Sequence, residues 1–184
     1  LDGTNSLLFL GYLQLEEKKV NFIVPSGNFG NIFSARVAQH MGLPIKELHI
    51  VTNQNDVLNQ IISSGQMEIN KVKHTYSPSM DIQISSNFER QIFESVKKDS
   101  NTVNSIINEF NTNQKYEFDI NVKEDFQNIY HSTSVTNEKT LETIKFFKEK
   151  YNYLADPHTA TGLSVLNELE ADTPNISLAC AHPA

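Results

Sequence analysis

The segment Val24-Pro25-Ser26-Gly27-Asn28-Phe29-Gly30-Asn31 joins the apolar run VNFIV to the amphipathic run IFSARVAQHMG. This junction constrains the fold more than any other stretch. A short β-branched run reads as a buried strand, and the 3.6-residue pattern after it reads as a helix. A strand that passes straight into a helix, followed by a second strand at ELHIVT and a second helix at NDVLNQIISSG, implies parallel pairing with right-handed crossovers. The class expected is therefore α/β, a parallel sheet flanked by helices. The first helix is expected to carry Phe33, Val37 and Met41 on one face and to stop at Gly42, with Pro44 just beyond. The second helix ends at Gly65.

The turn itself admits two readings. Gly27 and Gly30 can relieve strained dihedrals in a tight connection. Alternatively, the turn holds an anion. It lies at the C-terminal end of a buried strand, where ligands of open α/β sheets bind, and it opens a helix whose free amides and positive end favour negative charge. Its side chains are small or neutral, so successive backbone N–H groups can close on a phosphate as a nest. The pattern matches neither Gly-x-x-x-x-Gly-Lys nor Gly-x-Gly-x-x-Gly, so a phosphate on a cofactor smaller than a nucleotide is expected.

Further along, the stretch from Tyr76 to Tyr130 is rich in Asn, Ser, Asp and Lys, with FERQIFESVKKD and TVNSIINEF as helices. Residues 1–75 are expected as part of the α/β domain, 76–150 as an inserted helical or irregular lobe, and 151–184 as a return to the α/β domain. NEKTLETIKFFKEKYN reads as an amphipathic helix with Leu141, Ile144 and Phe147 along its apolar stripe. ADPHTATGLSVLNELE reads as a capped helix and NISLACA as an interior strand. A formal net charge of −7 argues against nucleic acid, which needs a Lys/Arg surface to displace its counterions. The single cysteine, Cys180, can form no intrachain disulfide, which suits a reducing compartment. No apolar run approaches the roughly 20 residues of a membrane span, so a cytoplasmic chain with no membrane partner is expected. The chain opens at Leu1 and stops directly after an expected strand, and both ends are expected to be truncation points.

The run VPSGNFGNIFSARVAQHMGLPIKELHIVTNQNDVL, followed in order by ISSGQ, SPSMDIQISSNFER, FKEKYNYLADPHTATG and LACAHPA, resembles threonine synthase. This is a pyridoxal-phosphate enzyme family of the tryptophan-synthase-β-like fold (fold type II). The resemblance implies two α/β lobes with pyridoxal 5'-phosphate between them and the conversion of O-phospho-L-homoserine and water to L-threonine and phosphate, a lyase step of threonine biosynthesis. It implies that Gly27, Asn28, Phe29, Gly30 and Asn31 bind the cofactor phosphate. It also implies that Cys180, where the family carries threonine, faces the pyridine nitrogen; a small core cysteine is the competing role. The family's Schiff-base lysine lies upstream of the strand before the turn, and no lysine here matches it. Lys18 and Lys19 adjoin the opposite end of that strand and read as solvated charges. The expectation is a C-terminal fragment with no catalytic residue of its own, inactive alone, whose missing N-terminal lobe belongs to the same polypeptide. Alternatives are a threonine synthase-like phospho-lyase and a non-catalytic phosphate-binding module.

Four residues are candidates for substrate contact. Asn53 or Asn55 can reach the cleft, although Asn55 or Asp56 reads more simply as a cap for the helix near Val57. Arg90 supplies a forked donor suited to a substrate phosphate, while Ser86 or Asn87 caps its helix. His158 can line the cleft, with Asp156 or Thr159 as the cap of the helix it opens. No metal site is expected: Cys180 has no second cysteine, and His40, His49, His74 and His131 read as ordinary positions.

Overall fold

In the computed structural model, residues 3–15, 19–169 and 172–182 are described. Four parallel strands, β1 (Val20–Pro25), β2 (Ile45–Thr52), β5 (Tyr130–Ser134) and β6 (Asn175–Ser177), form a sheet of order β5-β2-β1-β6. The helices are α1 (Gly3–Leu13), α2 (Gly30–His40), α3 (Val57–Ser64), α4 (Phe88–Ser95), α5 (Ser100–Asn113), α6 (Ile120–Ile129), α7 (Asn137–Tyr151) and α8 (Pro157–Leu163). A small antiparallel pair, β3 (Gln66–Glu68) with β4 (Lys115–Glu117), sits apart, and one turn of 3-10 helix spans Pro78–Met80. Among the described residues no helix is long and apolar enough to cross a membrane.

All six residues of β1 are buried, as a central parallel strand covered on both faces requires. Phe22 and Val24 face a large core with Leu48, Ile50, Ile61, Phe88 and Phe126. Ile23 and Val51 face a second, smaller cluster with Val135 and Val165. The expected α/β class, the strands at β1 and β2, and the end of α3 at Gly65 are all present, and Gly65 proves left-handed (φ 77°).

Several expectations need correction. Helix α2 buries Ile32, Ala35 and Ala38 rather than Phe33, Val37 and Met41, and Met41 is 53% exposed. Small residues on that stripe let the helix approach the sheet closely, which the larger ones would prevent. Helix α7 turns Thr140 and Thr143 inward, while Leu141 is exposed. The stretch 76–150 is not walled off as a separate lobe. It supplies β5, which pairs with β2, and it places Val103, Ile106, Phe110, Phe126 and Tyr130 in the same core as Phe22. Strand β6 ends at Ser177 and lies at the sheet edge among the described strands, not in its interior. One further bond, from Leu178 N–H to the Ile23 carbonyl at 3.0 Å, carries the pairing slightly beyond it.

Candidate functional site

The turn after β1 is built by a reversal of backbone hand. Phe29 is left-handed (φ 66°, ψ 2°), and Gly30 begins α2. Alternation of hand curls successive amides into a concavity, the geometry of an anion nest. A bulky residue at positive φ costs free energy, and the Phe29 ring shows what offsets it. The ring is fully buried, meets Phe88 edge-on at 5.0 Å and Tyr130 at 5.5 Å between centroids, and so anchors the strained residue in the core. Burying a side chain of that size contributes roughly 1.5–3 kcal/mol, about the cost of the strain. Among the described residues, the amides of Gly27, Asn28, Phe29, Gly30 and Asn31 donate to no backbone carbonyl. They are free to converge on a ligand at the N-terminus of an 11-residue helix.

Two outside segments grip this turn. Asn87, just before α4, donates to the Asn28 carbonyl from both its side-chain amide (2.9 Å) and its backbone N–H (3.1 Å), and Ser86 Oγ reaches Asn28 Oδ1 at 3.4 Å. Asn87 therefore serves the turn; it makes no side-chain cap to its own helix. On the other side, the Pro78–Met80 turn closes against Gly27. A Cβ at Gly27 would lie 3.1 Å from Met80 Cα and 3.3 Å from the Ser79 carbonyl oxygen, so any side chain here would press the two backbones apart.

The Pro78–Met80 turn is held in turn by a polar network at the end of β2. Asp81 Oδ1 accepts from Thr75 Oγ1 (2.6 Å), Asn53 Nδ2 (2.8 Å) and Asn55 Nδ2 (3.0 Å), and Asp81 Oδ2 accepts from the Thr75 amide (2.9 Å). Asn55 also exchanges two 2.8 Å bonds with the Lys73 backbone. Asn53 and Asn55 are both buried, and their side-chain amides are committed to this stitching. Neither Asn55 nor Asp56 caps α3.

A cavity of ≈ 200 Å³ lies between these parts, lined by Pro25, Gly27 and Asn31 on one side and by Ser79, Met80, His158, Cys180 and Ala181 on the other. The turn and Cys180, 150 residues apart in the chain, thus share one cleft. Asp156 caps α8 by accepting from the amides of His158 (2.8 Å) and Thr159 (3.1 Å). Burial works to raise its pKa, but these bonds, with those from the Thr159 hydroxyl and the His158 ring, hold the carboxyl below its ordinary value. His158 is clamped at both nitrogens. Its Nδ1 lies 3.2 Å from Asp156 Oδ1, and its Nε2 accepts from the Ser79 amide at 3.3 Å, which makes Nδ1 the protonated nitrogen.

Thr159 Oγ1 donates to Asp156 Oδ2 and accepts from the Cys180 amide at 2.9 Å. This chain fixes Cys180, whose Sγ lies 4.0 Å from the Pro25 carbonyl oxygen. The residue as a whole is exposed, yet desolvation of its sulfur, with the nearby Asp156 charge, pushes the thiol up to about 11. An exposed thiol of ordinary pKa, about 8.5, would also be mostly protonated at pH 7. On either ground Cys180 presents a neutral S–H.

The lining fits a phosphate-bearing cofactor. It offers free amides, a helix N-terminus and a glycine-dependent close approach, with no carboxylate among the residues that line it. Arg90 stands elsewhere: it is exposed, lies over the Phe33 ring at 5.9 Å and lines a different groove with Phe93 and Lys98. Lys19 is exposed at the far end of β1, Lys18 lies outside the described residues, and among the described residues no lysine lines the cavity. Sequence reasoning gave no role to Asp81, Ser79 or Met80, and it took Asn87 for a helix cap rather than a support of the turn. For the first three the one signal was the Pro78 that starts the 3-10 turn.

No protein-family model matches the chain. Threonine synthase of Saccharomyces cerevisiae is 42% identical over 188 aligned residues, covering 92% of this chain and 37% of the yeast protein. Threonine synthase of Pseudomonas aeruginosa is 34% identical, covering 90% of this chain and 36% of its own length. The crystal structure of PLP-bound threonine synthase from Brucella melitensis superposes with a TM-score of 0.95 at 38% identity, covering 98% of this chain and 40% of that one. The fold is therefore that of fold type II pyridoxal-phosphate enzymes, the chain's homologues are threonine synthases, and the chain spans about 37% of the length of the curated yeast relative.

Proposed function

We propose that this chain is a segment of a pyridoxal-phosphate-dependent threonine synthase, which converts O-phospho-L-homoserine and water to L-threonine and phosphate. The observation that carries the proposal is the turn at 27–31. It has free amides, a reversal of hand at Phe29 and two supporting segments, and the chain around it is 42% identical to a threonine synthase.

In this reading the amides of Gly27 to Asn31 bind the cofactor phosphate. Asn87 fixes the carbonyl side of that turn, and Asp81 fixes the Pro78–Met80 wall against it. Cys180 faces the pyridine nitrogen as a neutral thiol, so the ring nitrogen meets no anion there. His158, held by Asp156 and the Ser79 amide, shapes the cleft wall beside it. Bound pyridoxal phosphate supplies an electron sink that makes protons at the substrate Cα and Cβ removable. The lysine that anchors the cofactor belongs to the part of the homologues that this chain does not span. Asn53 and Asn55 act on substrate only indirectly, by positioning the Pro78–Met80 turn.

The test is made on the full-length protein with pyridoxal phosphate and O-phospho-L-homoserine, following phosphate and amino-acid products together. The expected result is phosphate and threonine in equal amounts, and no turnover by residues 1–184 alone. Phosphate with ammonia and a 2-oxo acid in place of threonine would assign the protein to the phospho-lyase alternative. Tight phosphate binding with no turnover would assign it to the non-catalytic one.

A further inference from the structure

His49 and His131 have no part in the cofactor cleft. Their chain positions give no hint of proximity, but the parallel register of β2 and β5 pairs them directly. Their rings stack at 4.8 Å between centroids with planes 22° apart. Glu47, two residues before His49, returns to the same face by the pleat of the strand, and its Oε2 lies 2.9 Å from His49 Nε2. One ligand-capable atom from each of the three residues lies within 4.8 Å of the other two. We propose that Glu47, His49 and His131 form a binding site for a divalent transition metal of the Zn²⁺ class.

The donor set decides the class of metal. Two imidazoles and a carboxylate suit Zn²⁺ and its neighbours, whereas Mg²⁺ and Ca²⁺ take oxygen ligands. Metal–ligand distances of about 2.0–2.2 Å would bring the three ligand atoms somewhat closer than they now lie. The groups that must move are free to do so: Glu47 is half-buried and His131 exposed, while the buried His49 is the rigid anchor. Coordination through His49 Nε2 would displace the proton that this nitrogen shares with Glu47 Oε2, as metal binding generally releases protons from its ligands. The competing partner of Glu47 is Lys46 Nζ at 3.7 Å, a surface pair of little worth. With three protein ligands, the fourth position of a tetrahedral metal falls on the solvent side beside His131. The metal would cross-link β5, an edge strand among the described strands, to its neighbour β2.

The test uses the full-length protein, free of any histidine tag and stripped with chelator, titrated calorimetrically with ZnCl₂ and spectroscopically with CoCl₂. One equivalent of Zn²⁺ is expected, with visible Co²⁺ absorption of tetrahedral intensity and a Tm that rises with added Zn²⁺. Loss of even a supporting residue commonly weakens a metal site 10–100-fold, so His131→Ala and Glu47→Gln should each weaken binding by at least about tenfold. Both should leave the metal-free Tm near that of the unmodified protein, because the His131 side chain is exposed and glutamine at 47 keeps the shape and an acceptor oxygen for His49. His40→Ala, at a histidine 3.8 Å from Glu94, should change nothing. Absence of binding at millimolar Zn²⁺ would overturn the proposal, as would binding that His131→Ala and Glu47→Gln leave intact.

Discussion

Gly27→Ala adds a single methyl group where β1 enters the turn, and its consequence can be worked from distances. Gly27 is not among the positive-φ glycines, so alanine meets no backbone strain of that kind and the effect is steric. The new Cβ would lie 3.1 Å from Met80 Cα, 3.3 Å from the Ser79 carbonyl oxygen and 3.4 Å from Ile82 Cδ1, against a preferred carbon–carbon separation of about 3.5–4.0 Å. The first two neighbours are backbone atoms of a turn that Asp81 tethers to Asn53, Asn55 and Thr75, so the turn cannot swing aside freely. Overpacking of this kind costs about 1–3 kcal/mol, offset by about 0.4–1 kcal/mol from the stiffer unfolded chain. A net loss of about 1–2 kcal/mol lowers Tm by roughly 2–8 °C for a chain of this size. The same displacement widens the wall that faces the free amides, so pyridoxal phosphate affinity should fall by up to about tenfold for each 1.4 kcal/mol lost from binding. Thermal unfolding and cofactor titration of the full-length variant give both numbers. Gly11→Ala is the control: its Cβ meets only ordinary contacts at 3.9 Å, inside a helix where alanine is favoured by up to about 1 kcal/mol. If Gly27→Ala matched the unmodified protein in both Tm and affinity, the close approach of the Pro78–Met80 turn would have no energetic meaning.

Tyr130→Phe removes a buried hydroxyl that donates to Gln91 Oε1 at 2.6 Å; leaving Gln91 unsatisfied should cost about 1–3 kcal/mol, read by denaturant unfolding. Asp156 has a lowered folded pKa, so its stabilisation is complete above the unfolded value of about 3.9 and is lost as pH falls through the folded one. Asp156→Asn should flatten that acid limb of a Tm-versus-pH profile, and an unchanged limb would contradict the assignment. Cys180→Thr exchanges one neutral hydrogen-bonding group for another and should leave cofactor affinity and turnover of the full-length protein close to their original values.

The parts of the fold that were legible in the sequence are those governed by local chemistry. The apolar run of β1, the helix end at Gly65 and the Asp156 cap each depend on a few neighbouring residues, and the structure shows all three. The turn was legible because two glycines between a strand and a helix have few other uses. What escaped depends on contacts distant in sequence. Strand β5 is polar, with only Tyr130 buried, and becomes a strand through pairing with β2. Asn53 and Asn55 looked like caps or ligands because their true partners, Thr75 and Asp81, lie more than 20 residues away. Asn87 looked like a cap for the same reason, with Asn28 59 residues distant. The choice of stripe on α2 turned on how closely a helix can approach a sheet, which hydrophobicity alone does not encode.

In the proposed function the turn at 27–31 holds the phosphate of pyridoxal phosphate. A crystal structure of the full-length protein with the cofactor tests it directly. Phosphate oxygens are expected within hydrogen-bonding distance, about 2.7–3.2 Å, of several amide nitrogens between Gly27 and Asn31, with the Cys180 sulfur beside the pyridine nitrogen. A phosphate seated elsewhere, with those amides bonded to protein or water, would contradict it.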